Sequence, residues 1–202
     1  LSASLMRAVG YPLSGNVGAG AGAVVGKLFG MNRAMKGGIG HALVQVGPWQ
    51  VGAMVACNAV GDVTDPVTGK VLAGARSADG TKLLNTQQAL LAGHKAGKPM
   101  AGTNTTIGVV ATNATLNKAQ AKRLAMSAHD GFARSIRPAH TTLDGDTLFA
   151  MATCAETGEP DMLLLTVMAA EATAQATVNA ILFANGVHTL KGYLPAAMEL
   201  NP

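Results

Sequence analysis

Aromatic residues are nearly absent from this chain of 202 residues: four Phe, two Tyr and one Trp make up 3% of it. A protein that grips single-stranded nucleic acid by stacking bases on rings has too few rings here. Charged residues are also sparse, at 13%, and no run of five like charges occurs, which argues against a basic arm for nucleic acid. The two cysteines, Cys57 and Cys154, stand far apart and match no metal-ligand spacing. They read as two buried thiols of a reduced, cytoplasmic protein. The longest apolar runs, Met162–Leu165 and Val167–Ala170, fall far short of the roughly 20 residues that span a bilayer. No membrane partner is expected. The chain opens on Leu1 instead of Met, so a targeting segment upstream stays open.

What is present is small and apolar. Residues of the apolar class make up 49% of the chain, and glycine supplies 25 positions in clusters without a collagen-like period. The length suits one domain with a core of Ala, Val, Leu, Ile and Met. The net charge of +4 is uneven: residues before Thr105 carry nine Lys/Arg against three Asp/Glu, and the remainder six against eight. The positive positions of the first half (Lys27, Arg33, Lys36, Lys70, Arg76, Lys82) are dispersed and read as solvated surface.

The pattern alternates strands with helices. Residues 10–40 are glycine-rich and loop-like. His41–Val46 and Val51–Ala59 read as a hairpin turned at Gly47-Pro48. Gly61–Gly80 reads as a loop with one short strand, Val67–Ala73. Asn85 caps a helix to Ala96, ended by Gly97 and Pro99. A polar linker, Ala101–Asn104, leads into the β-branched strand Thr106–Thr112. Thr115 or Asn117 caps a helix to Ile136 that buries Leu124, Ala128 and Phe132, and Pro138 stops it. Thr147–Thr153 is a further strand. Leu165–Ala184 is an Ala-rich helix closed by a left-handed Asn185-Gly186. The expected class is α+β, with no linker that divides domains.

Several motifs invite a chemical reading. The stretch GNVGAGAGAVVGK (Gly15–Lys27) formally contains a dinucleotide pattern and a Gly-Lys pair. A phosphate loop would need glycine at Ala21 and Ser or Thr at Leu28, and no apolar strand precedes the stretch. Nucleotide binding is therefore not expected; an anion-binding module remains the alternative of another class, as does a non-catalytic remnant. The five histidines show no metal-ligand spacing. His129-Asp130 reads as a surface pair on a helix, and His140 stands just before an acidic loop.

Asn104-Thr105-Thr106 joins the polar linker to a strand. A mid-chain threonine hydroxyl lacks a local base. If the backbone is cut before Thr105, the freed α-amine, with a pKa of about 8, can accept the hydroxyl proton. That is the N-terminal threonine variant of a nucleophile–base pair, and a Thr-rich turn is the structural alternative. Leu143-Asp144-Gly145-Asp146-Thr147 places two carboxylates two residues apart in an extended segment, where they point the same way and want a cation between them. A loop turn or a loose cation site is the plainer reading.

With these residues in place, the chain resembles the family of self-processing N-terminal nucleophile hydrolases that contains the nylon-oligomer hydrolases, the D-aminopeptidases and the β-peptidyl aminopeptidases. The resemblance runs through GNVGAGAGAVVGK, KGGIG (Lys36–Gly40), ACNAVGD (Ala56–Asp62), NTTIGVVATNA (Asn104–Ala114) and DGDTLFA (Asp144–Ala150). It implies a four-layer αββα sandwich, with the N-terminal part of the family fold absent, since only fourteen residues precede the glycine stretch. It implies cleavage between Asn104 and Thr105, giving 1–104 as a partial α chain and 105–202 as the β chain. Thr105 would be the nucleophile, Lys27 and Asn58 the polar groups facing it, and Asp144 and Asp146 the acidic pair. The aminopeptidase branch carries Ser and Ser-x-Glu at these places, so Thr105 and Asp144-Gly145-Asp146 side with the nylon-hydrolase branch. The implied substrates are linear amides such as 6-aminohexanoate oligomers, or alternatively D-aminoacyl or β-aminoacyl amides. The implied assembly is a homo-oligomer of processed units, and no cofactor or metal is required.

Overall fold

A computed structural model describes residues 13–97, 104–190 and 192–200. The expected helix stop at Pro99 and the linker residues 101–103 lie outside the described residues. The glycine-rich stretch is not a plain loop: it forms three short 3₁₀ turns and two antiparallel two-residue strands, β1 (Val24–Val25) and β2 (Met35–Lys36). The hairpin follows as β3 (Gly38–Val46) and β4 (Trp49–Cys57), in unbroken register from Gly38↔Cys57 to Val46↔Trp49 with Gly47 at φ 55 in the turn. β3 starts three residues earlier than the apolar pattern indicated. Gly38 and Gly40 read as loop, yet their missing side chains let β3 press on a helix backbone: a Cβ at either would sit 2.2 Å from the carbonyl oxygen of Ala180 or Ala176.

β5 (Asp62–Thr64) was not foreseen, and β6 is only Val71–Ala73, because Val67 belongs to an exposed turn capped by Asp65. Asn85 caps α1 as expected, but this helix covers only Thr86–Leu91; Gly93, at φ 87, ends it early. β7 (Ile107–Ala114) leads to α2 (Lys118–Ser135), which opens on a capping box between Asn117 and Gln120. Leu124, Ala128 and Phe132 of α2 are buried, as its periodicity predicts. Beyond α2 come β8 (Ile136–Arg137) and β9 (Thr147–Glu156). α3 runs Met162–Leu182, one turn earlier than expected, because Asp161 accepts the Leu164 N–H and caps it. Its end is not the predicted left-handed one: Phe183 is right-handed and Gly186 has no positive φ. The hairpin of β10 (Val187–Thr189) and β11 (Gly192–Leu194) and the turn α4 (Ala197–Leu200) complete the described chain.

The principal sheet has the order β3-β4-β7-β9, and a smaller one the order β6-β5-β8. β7 and β9 are parallel, and α2 makes the crossover that parallel strands require. α3 lies across β3 and β4 while α2 packs on α3 and β9, so one face of the sheet is dry. Val51, Val55, Cys57, Val110 and Ala114 point into this core. The opposite face carries the exposed side chains of Leu43, Ile107, Phe149 and Met151. Of the four layers implied by the resemblance, the described residues supply one β layer with its α layer.

Two burial expectations need correction. Cys57 is buried, but Cys154 is exposed, since β9 pairs on one side only and its end turns outward at Cys154, φ 55. Lys27 and Lys36 are not surface cations; they are 6% and 1% exposed. Lys36 Nζ donates to the carbonyls of Gly20, Ala23 and Gly37 at 2.7, 2.8 and 2.7 Å. Three acceptors match the three protons of an ammonium. The glycine stretch thus wraps around a buried cation belonging to its own chain.

Candidate active site

Three strand ends meet at one corner of the principal sheet. Antiparallel register sets the end of β4 beside the start of β7 through Ala56↔Ile107, and parallel register sets the start of β9 beside it through Ile107↔Thr147. The parallel ladder continues backward past both strands: Thr147 N–H donates to Thr106 O at 3.0 Å and Gly145 N–H to Asn104 O at 2.9 Å. Topology alone therefore brings Asn104-Thr105, Asp144-Gly145-Asp146 and Asn58 together.

Lys27 reaches this corner from the glycine stretch. Gly26 adopts φ 69, where an L side chain is strained, and a Cβ there would lie 2.1 Å from the backbone of Gly74 and Ala75. Gly26 N–H and Lys27 N–H donate to the carbonyls of Gly61 and Val60 at 2.9 and 3.0 Å, clamping the lysine beside the segment that follows β4. Its Nζ donates to Asn58 O and to Asn58 Oδ1, both at 2.9 Å. Asn58 Oδ1 also accepts the Val24 N–H at 3.1 Å. The donor of the Asn58 side chain is its Nδ2.

Burial pushes the Lys27 ammonium down to about 8, against the opposing pull of Asp144, Cys57 and Asp146. The same loss of water pushes the Cys57 thiol up to about 12, so the one sulfur in this corner is no nucleophile at neutral pH. The two aspartates are held differently. Asp144 Oδ1 accepts the Val60 N–H at 3.1 Å, and its Oδ2 accepts the Thr141 hydroxyl at 2.6 Å. Asp144 thus ties the acidic loop to the segment after β4. Asp146 Oδ1 accepts the Thr106 N–H at 2.9 Å, directly after Thr105.

Asn104 is 1% exposed, and its carbonyl oxygen already receives a backbone N–H, which polarises the bond to Thr105. Gly145 also lies against the Thr105 hydroxyl: a Cβ there would be 2.8 Å from Thr105 Oγ1 and 3.8 Å from the rest of that side chain. Gly145 has no positive φ, so alanine fits the backbone and only turns the hydroxyl away. The Gly145→Ala protein is expected to fold with an unchanged melting curve while any chemistry of Thr105 slows by about 100-fold, the usual cost of a misplaced reacting group. Intact mass over time, read beside a thermal melt, checks both halves.

All six residues singled out by sequence, Lys27, Asn58, Asn104, Thr105, Asp144 and Asp146, are therefore gathered at one corner. Sequence reasoning passed over Gly145 as a donor, and Lys36. Residue identity carries no signal for the first, whose contribution is a backbone N–H; for the second, the signal was a lysine flanked by glycines. Of the pair read as surface, Asp130 is exposed and His129 half-buried, its ring edge-on to Phe132 at 5.7 Å and tilted over His140 at 4.9 Å. Gly26-Lys27 opens a three-residue turn and not a helix, which removes the helix N-terminus a phosphate loop relies on. Among the described residues no group of three or more His, Cys, Asp or Glu is placed to hold a metal ion. No helix among them is long and apolar enough to cross a membrane. A cavity of about 660 Å³ adjoins the glycine stretch, bounded by Val24, Met31, Lys36, Val187, Tyr193 and Leu194.

A family model described as peptidase family S58 matches residues 3–194. The chain belongs to peptidase family S58. The relatives it matches differ in name. An uncharacterised aminopeptidase of Mycobacterium leprae is 49% identical over 69% of this chain and 37% of its own length. A 6-aminohexanoate-oligomer endohydrolase of a Kocuria strain is 33% identical over 69% of this chain and 39% of its own length. The chain thus spans well under two thirds of the curated relatives it matches. Among solved structures, an L-aminopeptidase D-Ala-esterase/amidase of Ochrobactrum anthropi superposes with a TM-score of 0.59, at 23% identity, over 90% of this chain and 49% of that one. That structure is described as a variant of the N-terminal nucleophile hydrolase fold, and the S58 chain here has the same fold type.

Proposed function

We propose that this S58 chain is a self-processing amide hydrolase with Thr105 as its nucleophile. What carries the reading is the local geometry of one peptide bond. The Asn104 carbonyl oxygen holds the Gly145 N–H, the Thr105 hydroxyl lies against Gly145, and Asp146 holds the next N–H.

In self-cleavage Thr105 Oγ attacks the Asn104 carbonyl carbon and Asp146 takes the hydroxyl proton. The oxyanion is stabilised by Gly145 N–H and Asn58 Nδ2, with the Lys27 ammonium as the nearby positive charge. The C–N bond then breaks, the proton passes to the Thr105 nitrogen, and the acyl group rests on Oγ as an ester. Water hydrolyses the ester, leaving residues 1–104 and a second chain that begins with Thr105. In the mature site the Thr105 α-amine accepts the hydroxyl proton when Oγ attacks a substrate amide, and returns it to the leaving amine. Asp144 orients the acidic loop.

The substrates proposed are linear amides of the 6-aminohexanoate type. The Thr105 and Asp-Gly-Asp pattern supports this choice. The second reading is an aminopeptidase acting on D-aminoacyl or β-aminoacyl amides, favoured by the name of the Mycobacterium leprae relative. Processed units are proposed to assemble as a homo-oligomer.

Intact-mass analysis of the purified chain tests the core of this. Two fragments, the smaller beginning at Thr105, are the expected result. One persistent uncut species overturns it in favour of a remnant or a binding module. Hydrolysis of 6-aminohexanoate oligomers against D- and β-aminoacyl amides then separates the two substrate classes.

A further inference from the structure

Asp146 has two carboxylate oxygens, and only one of them faces Thr106. The other, Oδ2, accepts the His140 backbone N–H at 3.3 Å and lies 3.2 Å from imidazole Nδ1. The Asp146 side chain is 2% exposed and that of His140 38%. His140 adopts φ 53, in the left-handed region, with its backbone N–H and its ring both beside this one oxygen. Its ring is backed by His129 and Phe132 of α2, with centroids at 4.9 and 6.2 Å. A loop histidine is thus wedged between the second helix and the carboxylate beside the scissile bond.

We infer that His140 is a positioning residue for Asp146, fixing the carboxylate that receives the Thr105 proton. The inference rests on the function proposed above. With one oxygen on Thr106 N–H and the other on His140, the Asp146 carboxylate cannot rotate, so its proton-accepting lone pairs keep one direction.

Two variants of the full chain test this, with Thr105→Ala run in parallel. His140→Gly removes the ring without straining a left-handed backbone. His140→Asn also tolerates that backbone and restores an N–H donor. Self-cleavage is followed by intact mass over time, with circular dichroism as the check on folding. His140→Gly is expected to slow cleavage about 10- to 100-fold. His140→Asn is expected to restore most of the lost rate. A parent-like rate in folded His140→Gly overturns the inference and leaves the nucleophile assignment standing. So does a folded His140→Asn protein as slow as His140→Gly. Cleavage in Thr105→Ala instead removes the reading on which the inference rests.

Discussion

Replacing Thr105 by alanine is expected to leave one uncut polypeptide of 202 residues and to abolish amide hydrolysis, a loss of roughly 10⁴-fold or more. The size of the effect follows from the double duty of that residue. Its hydroxyl makes the cut, and the cut creates the amine that serves as base afterward. Removing the oxygen therefore removes both steps at once, whereas loss of a residue that only stabilises charge leaves a slow reaction. Thr105→Ser keeps the oxygen and should still process. Thr105 is half-buried, so its truncation to alanine costs little packing. A Thr105→Ala preparation that yields a fragment beginning at residue 105, or that hydrolyses amides, refutes the assignment.

The elements that the sequence made legible are those whose signals are local. The hairpin at Gly47-Pro48, the cap at Asn117 (one of the two residues expected) and the β-branched run before Ala114 each carry their own instruction within a few residues, and each forms close to where expected. Errors fall where tertiary contact decides. Gly38 and Gly40 look like loop because glycine disfavours strands, yet they form β3 because the backbone of α3 occupies the space a side chain would need. β5 is three residues long and exists through its partners β6 and β8. Lys36 reads as solvated because lysine normally is, and only the folded chain supplies the three carbonyls that take its protons.

The candidate site divides in the same way. Its side chains were legible as types: hydroxyl, amide, cation and paired carboxylates. Their meeting was not, since Lys27, Asn58, Thr105 and Asp146 come from four segments brought together by the register of β4, β7 and β9 and the clamp on Gly26. The resemblance to a family carried that information before the structure did. The contributions of Gly145 and His140 are of a third kind. One is a backbone N–H, which leaves no mark in residue type; the other is a contact of a histidine noted only for its place before the acidic loop.

Lys27→Met is expected to slow self-cleavage by about 10²- to 10³-fold, the range found when one stabilising group is taken from a developing oxyanion. The pH dependence separates two roles for this lysine. Burial sets its pKa at about 8, so as pH rises through that value the ammonium is lost. If the residue acts through its charge, as proposed here, self-cleavage declines above about pH 8 in the parent, and the decline is missing in Lys27→Met. If the neutral amine were instead the base for Thr105, the rate would climb through the same range. The linkage of Lys27 to stability runs against the decline, and the buried Cys57 thiol acts in the opposite sense only above about pH 9. A lysine whose folded pKa is lowered toward 8 binds fewer protons than the unfolded chain, whose lysine titrates near 10.5, and stability linked to it rises with pH across that window. Lys36, depressed to about 8 by its own burial, contributes in the same sense. A rate that falls while these two groups push the melting temperature upward identifies a lost catalytic charge, and a rate that climbs with pH assigns Lys27 the opposite role.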